Sequence, residues 1–409
     1  MSTIDGCRAC GHADLVTVLD FGDSPLADRL LHAHELSEED LFFPLRLVVC
    51  PSCALVQITE DVPPEILYCG DYPYYTSVSP GLVKHFTGAA HAMLARTPLA
   101  QDAVVIEAAS NDGYQLKVFR EAGLEVLGVD PASGPAKVAN EAGIDTRCEF
   151  FSAAVAESIA AEGKQADLLT GNNVLNLIQD LDDFARAVDL LLKPGGTVCL
   201  EVPYFVATID QTAFDNVFHQ NTTYWTATSL DRFWRRRGLY LNHVEDAPTF
   251  GGSLRAYFER EERPSDAVRE LLAEEERRGV PTTAFYAAFA NRVEAIKADL
   301  HTQIAALQEA GKRLVAYGAA GGMATTLLSY LGLDGDDLDY AVDINPHKHG
   351  RYTSGSRLEI RPAETLVEDV PDVALLLAWN FAEEVMEQQD AYRKKGGQFL
   401  VPIPEPKLV

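Results

Sequence analysis

The chain has 409 residues, with 61 acidic against 34 basic side chains, a formal net charge of -27, 47% apolar residues and 23% charged ones. That length exceeds one hydrophobic core and predicts two or three domains. The acidity excludes nucleic acid and anionic lipid as partners, because few cations are available to displace counterions from phosphates.

No apolar run reaches the roughly 18 residues of a membrane span, so no membrane contact is expected. The N-terminus shows no basic segment followed by an apolar one. Seven cysteines, an odd number, argue against a disulfide framework and predict a reduced, cytoplasmic setting with some thiols on metal.

In chain order, the first element is a small β-rich module with two CxxC pairs, Cys7/Cys10 and Cys50/Cys53. Two intervening residues let both thiolates of a pair face one ion, and two pairs complete a tetrahedron with bonds of about 2.3 Å. The gap between the pairs exceeds the usual ribbon spacing, and a redox or free-thiol pair is the alternative. Four cysteine ligands leave no open position, so a zinc here is structural. A tyrosine loop follows, with Tyr72, Tyr74 and Tyr75. These rings serve either a ligand or a buried hairpin.

A helix is expected over 82–96, then a strand–helix alternation: strands at 103–107, 125–129, 166–170 and 197–202, helices at 114–122 and 184–192, and a turn at Lys193-Pro194-Gly195-Gly196. Such alternation predicts a mostly parallel, doubly wound sheet. Residues 264–309 read as one or two amphipathic helices. A second, smaller α/β unit restarts at Arg313, with strands at 313–317, 340–342, 373–378 and 398–401. The expected division is a zinc-binding module at 1–75, a Rossmann-like domain at 76–281 and a C-terminal α/β domain at 282–409.

The run Val104-Val105-Ile106-Glu107-Ala108-Ala109-Ser110-Asn111-Asp112-Gly113 is a strand, a small-residue turn and a helix start. About 20 residues on, the next strand ends in Asp130-Pro131, where a carboxylate can accept ribose hydroxyls. The turn lacks the G-x-G-x-x-G that cradles a diphosphate, which disfavours a dinucleotide and permits a smaller adenosine cofactor. The expected cofactor residues are Glu107, Ala109, Asn111, Asp130, Pro131, Asn172 and Asn173. A purely structural strand–helix turn is the alternative.

An ordered series of segments resembles one family over nearly the whole chain: the S-adenosylmethionine-dependent C-methyltransferases of nucleotide-linked 4-keto deoxysugars. The CxxC pairs resemble its zinc module, YPYYTSVSP its tyrosine loop, and EAASNDGYQL its cofactor turn, usually E-x-G-x-N-D-G. GNNVLNLIQDLDDF and LLKPGGTVCLEVPY resemble its sheet core. FGGSLR, AYGAAGGMAT, VDINPHKHGRY, AWNFAEEVM and VPIPEP also have counterparts. The resemblance implies S-adenosylmethionine, a structural zinc and a nucleotide-sugar-like substrate. It also implies a base that removes the proton beside the sugar ketone.

That base is a histidine in a Tyr-x-Glu-His segment, which here reads Phe218-His219-Gln220-Asn221. A second family histidine falls at Leu177, a lysine at Gly322 and a glycine at Ala109. Side-chain amides do not act as acids or bases near neutral pH, and losing a general base costs about 10²–10⁴-fold. The candidate catalytic residues are therefore His219, as base or as a structural residue, with Gln220, Asn221 and Tyr72. C-methylation of a 4-keto sugar is expected to be slow or absent, with a repurposed active site that still binds the cofactor as the alternative function.

Overall fold

The computed structural model describes residues 2–27, 29–68, 74–319 and 321–409. Its N-terminal part is an antiparallel sheet in the order Thr223–Tyr224, Val56–Ile58, Phe42–Val49, Val16–Pro25. In Phe42–Val49 the buried Leu45 and Leu47 alternate with the exposed Pro44 and Arg46, the pattern of a strand with one wet face. The edge strand Thr223–Tyr224 arrives from far along the chain, so the segment just before it is sewn to this module. A second tie runs to the C-terminal part. Leu30–Leu31 pairs antiparallel with Tyr352–Thr353, and Asp40 forms an ion pair with Arg357 at 3.1 Å.

The central sheet has seven strands in the order Tyr240–Ala247, Ser253–Glu259, Leu192–Pro203, Ala166–Asn172, Val104–Ala108, Glu125–Val129, Thr146–Arg147. The last five are parallel. Ser253–Glu259 runs antiparallel between Leu192–Pro203 and Tyr240–Ala247. One face packs under helix Pro80–Arg96, where Ala89, Ala90 and Met93 meet Val105, Leu168, Cys199 and Tyr257. The opposite face packs Ile106, Leu169 and Leu200 against Phe184, Val188 and Trp234. The side-chain period of two then puts Glu107, Asn172, Glu201 and Arg255 on the first face, at its upper end. Helix Pro80–Arg96 starts where the Ser79 hydroxyl accepts the Leu82 N–H, with Pro80 in its first turn.

The turn expected at Lys193–Gly196 lies inside the strand Leu192–Pro203, whose pairing shifts register between Ala166 and Leu168. The cause is close approach: a Cβ on Gly196 would stand 2.9 Å from the Ala166 carbonyl oxygen. The amphipathic stretch resolves into two helices, Asp266–Arg278, ended by a left-handed Gly279, and Thr283–Glu309. The boundary proposed at 281–282 falls between them. The long helix buries Tyr286, Phe289, Val293, Ile296, Leu300 and Ile304, at helical spacing. These residues share one core with Leu45 and Leu47 of the first sheet, Phe205 and Phe214 of the centre, and Leu314 and Leu327 beyond.

The C-terminal sheet runs Ile360–Pro362, Ala341–Asp343, Leu314–Tyr317, Val373–Leu376, Gln398–Val401, Lys407–Leu408, parallel except for the last strand. The chain is thus α/β, a small cysteine-bearing module followed by a doubly wound Rossmann-like domain and a second α/β unit. Among the described residues, no helix is long and apolar enough to cross a membrane.

Candidate zinc and cofactor sites

Two tight turns present the four cysteines. The Gly11 N–H donates to the Cys7 carbonyl at 2.8 Å and the Ala54 N–H to the Cys50 carbonyl at 2.9 Å. Both turns pass through the left-handed region, at Gly11 (φ 72°) and Ala54 (φ 62°). They bring the sulfurs of Cys7, Cys10, Cys50 and Cys53 within 4.8 Å of one another, with Cys7–Cys53 at 3.4 Å and Cys10–Cys50 at 3.6 Å. Bonds of about 2.3 Å in a tetrahedron give sulfur–sulfur edges of about 3.8 Å. The donor set therefore fits one zinc ion. Arg236, whose guanidinium interacts with Cys10, sets a cation beside a centre that four thiolates make anionic.

The cofactor turn is strained and tightly held. Ala109 (φ 56°) and Asn111 (φ 50°) are left-handed without being glycine, which costs an alanine about 1–2 kcal/mol and an asparagine less. Asp130 is buried and fixes the turn: Oδ2 accepts the Asn111 N–H at 2.8 Å and Oδ1 the Ala132 N–H at 2.9 Å. Burial pushes its carboxyl up, against those two bonds. Pro131 follows, its carbonyl 3.7 Å from the Cys148 sulfur.

The end of the tyrosine loop closes on the same turn. The Thr76 N–H donates to Asn111 Oδ1 at 2.8 Å and the Ser77 N–H to Asp112 Oδ2 at 3.2 Å. The Tyr75 hydroxyl lies 2.3 Å from where a Cβ on Gly134 would be, so a side chain at 134 would displace that hydroxyl. Tyr72 lies outside the described residues.

Behind the turn is a buried polar cluster. Asn172 Nδ2 donates to Glu107 Oε1 at 3.1 Å and Gln115 Oε1 at 2.8 Å. Burial drives the Glu107 carboxyl well above the usual range, and nearby Asp130 and Asp112 act the same way against the Asn172 amide. Asn173 is left-handed (φ 51°), with its N–H on the Glu201 carbonyl at 2.8 Å. Among the described residues, buried Glu107 Oε2, Ser110 Oγ, Asp112 Oδ1, Asn172 Oδ1 and Asn173 Oδ1 have no hydrogen-bond partner. Unpaired buried polar atoms are costly. Gathered where the parallel strands end, they fit a polar ligand such as an adenosylated amino acid.

The segment 218–221 lies apart from this cluster in its hydrogen bonding. His219 is 1% exposed. Its Nε2 pairs with the Pro44 carbonyl at 3.1 Å, its ring stands edge-on to Phe43, and burial lowers its pKa. Gln220 Nε2 donates to the Ala27 carbonyl at 3.2 Å, and its own carbonyl accepts the Tyr68 hydroxyl. Asn221 Oδ1 accepts from Asn176 Nδ2 at 2.8 Å, the residue that precedes Leu177 in the chain. Both positions where the resemblance has a histidine lack one here. Phe218 lies on the C-terminal unit: a Cβ on Gly322 would stand 2.5 Å from its ring.

Sequence reasoning missed a further group. His85 Nε2 is 2.6 Å from Glu201 Oε1. Glu201 Oε2 takes Arg255 Nη2 at 2.8 Å and Nε at 3.2 Å, and the Thr249 hydroxyl donates to Oε1 at 3.0 Å. Burial acts to raise the Glu201 pKa, but His85 and Arg255 outweigh it and leave it lowered. The available signal was a charged residue inside the otherwise apolar strand TVCLEV.

Three family models match in succession: a zinc binding domain over residues 7–68, a methyltransferase domain over 84–244 and a C-methyltransferase C-terminal domain over 248–404. C-methyltransferase NovU of Streptomyces niveus is 35% identical over 411 residues, covering 99% of this chain and 97% of that one. Among solved structures, magnesium protoporphyrin IX methyltransferase of Synechocystis PCC 6803 with bound SAM is 12% identical at a TM-score of 0.33, over 44% of this chain and 80% of that one. A putative methyltransferase complex with Trm112 from Haloferax volcanii gives 16% and 0.35, over 44% and 91%. The whole-length identity decides the matter: this chain is an S-adenosylmethionine-dependent methyltransferase and belongs to the zinc-containing sugar C-methyltransferase family.

Proposed function

We propose that the enzyme methylates a nucleotide-linked deoxysugar, and that segment 218–221 holds the architecture around the substrate without serving as its base. The carrying observation is the hydrogen bonding of that segment. His219 is 1% exposed, its Nε2 on the Pro44 carbonyl and its unpartnered Nδ1 buried as well, and the remaining side chains are a phenyl ring and two amides. Support for the substrate class comes from the ordered resemblance, which runs through all three parts of the chain.

In this reading Cys7, Cys10, Cys50 and Cys53 hold zinc. Glu107, Ala109, Asn111, Asp130, Pro131, Asn172 and Asn173 line the cofactor site. Asp130 does two jobs: its oxygens already take two backbone N–H groups, and a carboxylate has about four lone-pair sites, leaving acceptors for the ribose hydroxyls. S-adenosylmethionine supplies an electrophilic methyl group when bound. The protein's own contribution is to orient the acceptor, exclude water beneath the tyrosine loop and take up a proton.

Calorimetric titration tests this reading, first with S-adenosylhomocysteine and then with a thymidine-diphosphate 4-keto deoxysugar. Saturable binding of the sugar is expected. Cofactor binding with no sugar binding would refute the substrate class. A second reading, methylation of a heteroatom that needs no strong base, is favoured by the missing acid–base groups at 218–221. The position of an isotope-labelled methyl in the product separates the two.

A further inference from the structure

The reading above leaves the carbon acid without a proton acceptor. We propose that His85, held by Glu201, is the general base of this enzyme. The inference rests on the proposed substrate class and supplies the group that class requires.

Placement is the first argument. His85 lies on helix Pro80–Arg96, within two turns of the loop end docked on Asn111 and Asp112. Its partner Glu201 aligns in register with Asn172 across the parallel strands, so both stand at the strand ends where such sheets bind ligands. The next ring on the helix, Phe86, packs at 5.0 Å on Tyr114, whose hydroxyl is 3.5 Å from Asn172 Nδ2. The imidazole thus borders the cluster that carries the unpaired polar atoms. Its side chain keeps 13% exposure while Glu201 keeps none, so the ring is reachable and its carboxylate is not.

The second argument concerns charge. A buried carboxylate needs a partner, and Glu201 already has a two-nitrogen contact from Arg255 and a hydroxyl from Thr249. Arg255 also pairs with Glu245 at 2.9 Å, so these groups fix the position of Glu201 and leave its second oxygen for the imidazole. A carboxylate fixed by other groups and hydrogen-bonded to one ring nitrogen does what the aspartate of a hydrolase triad does: it selects the tautomer and stabilises the imidazolium once formed. With Nε2–H donating to Glu201, the lone pair lies on Nδ1. Nδ1 makes no hydrogen bond to the described residues. This also gives the FGGSLR segment a purpose, since Thr249 just before it and Arg255 at its end both hold Glu201.

The step is a proton transfer. The C–H bond beside the ketone breaks, the proton goes to His85 Nδ1, and the electron pair delocalises onto the ketone oxygen as an enolate. With this base, carbon methylation stays available despite the substitutions at 218–221. The slow or absent C-methylation expected from the sequence is then replaced by ordinary carbon chemistry through a different residue.

The test is solvent exchange. Enzyme saturated with S-adenosylhomocysteine is incubated in heavy water with a thymidine-diphosphate 4-keto deoxysugar, and deuterium is followed at the carbon beside the ketone. The parent is expected to exchange. His85→Gln should lose about 10²–10⁴-fold while keeping its zinc and its S-adenosylhomocysteine affinity. His85→Gly should recover exchange with added imidazole, which a merely structural histidine would not show. In the parent, loss of exchange on treatment with diethyl pyrocarbonate should track acylation of His85, read by mass spectrometry, so the assignment is testable without any variant.

Exchange at the parent rate in His85→Gln, or exchange surviving full acylation of His85, overturns the assignment. Sugar binding without exchange in the parent also overturns it and leaves the substrate class standing. Failure of the sugar to bind overturns the substrate class, and the assignment with it.

Discussion

Gly322→Ala tests whether the changes at two distant positions are one change. Gly322 is the first residue of helix Gly322–Leu331, and its φ is not left-handed, so alanine suits the backbone. Propensity alone would then favour the variant, by up to about 1 kcal/mol. The new Cβ, however, would stand 2.5, 2.5 and 2.6 Å from three atoms of the Phe218 ring. These atoms belong to a rigid ring near its attachment point, and the contact joins the central and C-terminal parts.

Overpacking of this kind costs about 1–3 kcal/mol, so Gly322→Ala should be net destabilising by up to about 2 kcal/mol after a full propensity gain of about 1 kcal/mol. In a Phe218→Leu background the same change should be neutral or better, giving a coupling of about 1–3 kcal/mol, the overpacking cost itself. Denaturant unfolding of the four proteins measures this cycle. Equal effects of Gly322→Ala in both backgrounds would refute the claim that loss of a side chain at 322 makes room for Phe218.

Four further outcomes are expected. Elemental analysis should find one zinc per chain, and Cys50→Ser should lose the metal and lower the thermal midpoint; a metal-free parent would refute the site. Asp130→Asn presents an NH₂ to one of the two backbone N–H donors, so it should weaken S-adenosylhomocysteine binding about as much as Asp130→Ala, by about 1.5–3 kcal/mol or roughly 10- to 100-fold; calorimetry showing unchanged affinity for either would remove Asp130 from the site. Ala109→Gly relieves a left-handed alanine and, after the entropy of a freer unfolded chain, should gain about 0.5–1 kcal/mol in denaturant unfolding; a loss of stability would contradict the strain.

The fourth concerns Asp215, which accepts the Trp379 indole N–H at 2.7 Å and is pushed by burial from 3.8 up to about 7. A folded-state pKa raised above the unfolded one means the folded protein binds the proton more tightly, so this group's stabilisation is lost as pH rises from about 4 to about 7. Asp215→Asn should therefore gain stability over the parent at pH 8 relative to pH 5, by thermal melts. An equal difference at both pH values would refute the assignment.

Local periodicity made much of this fold legible. The five-residue buried strand at Val104–Ala108, the Asp130 tip and the paired CxxC turns each carry their signal within a few neighbouring residues. The register shift at Lys193–Gly196 was hidden, because glycines that usually make a turn here serve the close approach of Ala166. The placing of His219 was hidden for another reason. Its direction is set by pairing of Thr223–Tyr224 with a strand about 165 residues earlier, and no local pattern reports such a contact. His85 escaped notice because its meaning lies wholly in Glu201, Thr249 and Arg255, which the sheet gathers from two segments far from it in sequence. Glu201 alone was visible as an ionisable residue in a buried strand.

The central claim is methyl transfer from S-adenosylmethionine to the carbon beside the ketone of a nucleotide-linked sugar. The direct measurement is turnover with cofactor labelled in its methyl group and a thymidine-diphosphate 4-keto deoxysugar, with the product read by nuclear magnetic resonance. The account predicts the label on that carbon, in a bond stable to acid and base. Label on oxygen, nitrogen or sulfur, or a bound sugar that is never methylated, would contradict it.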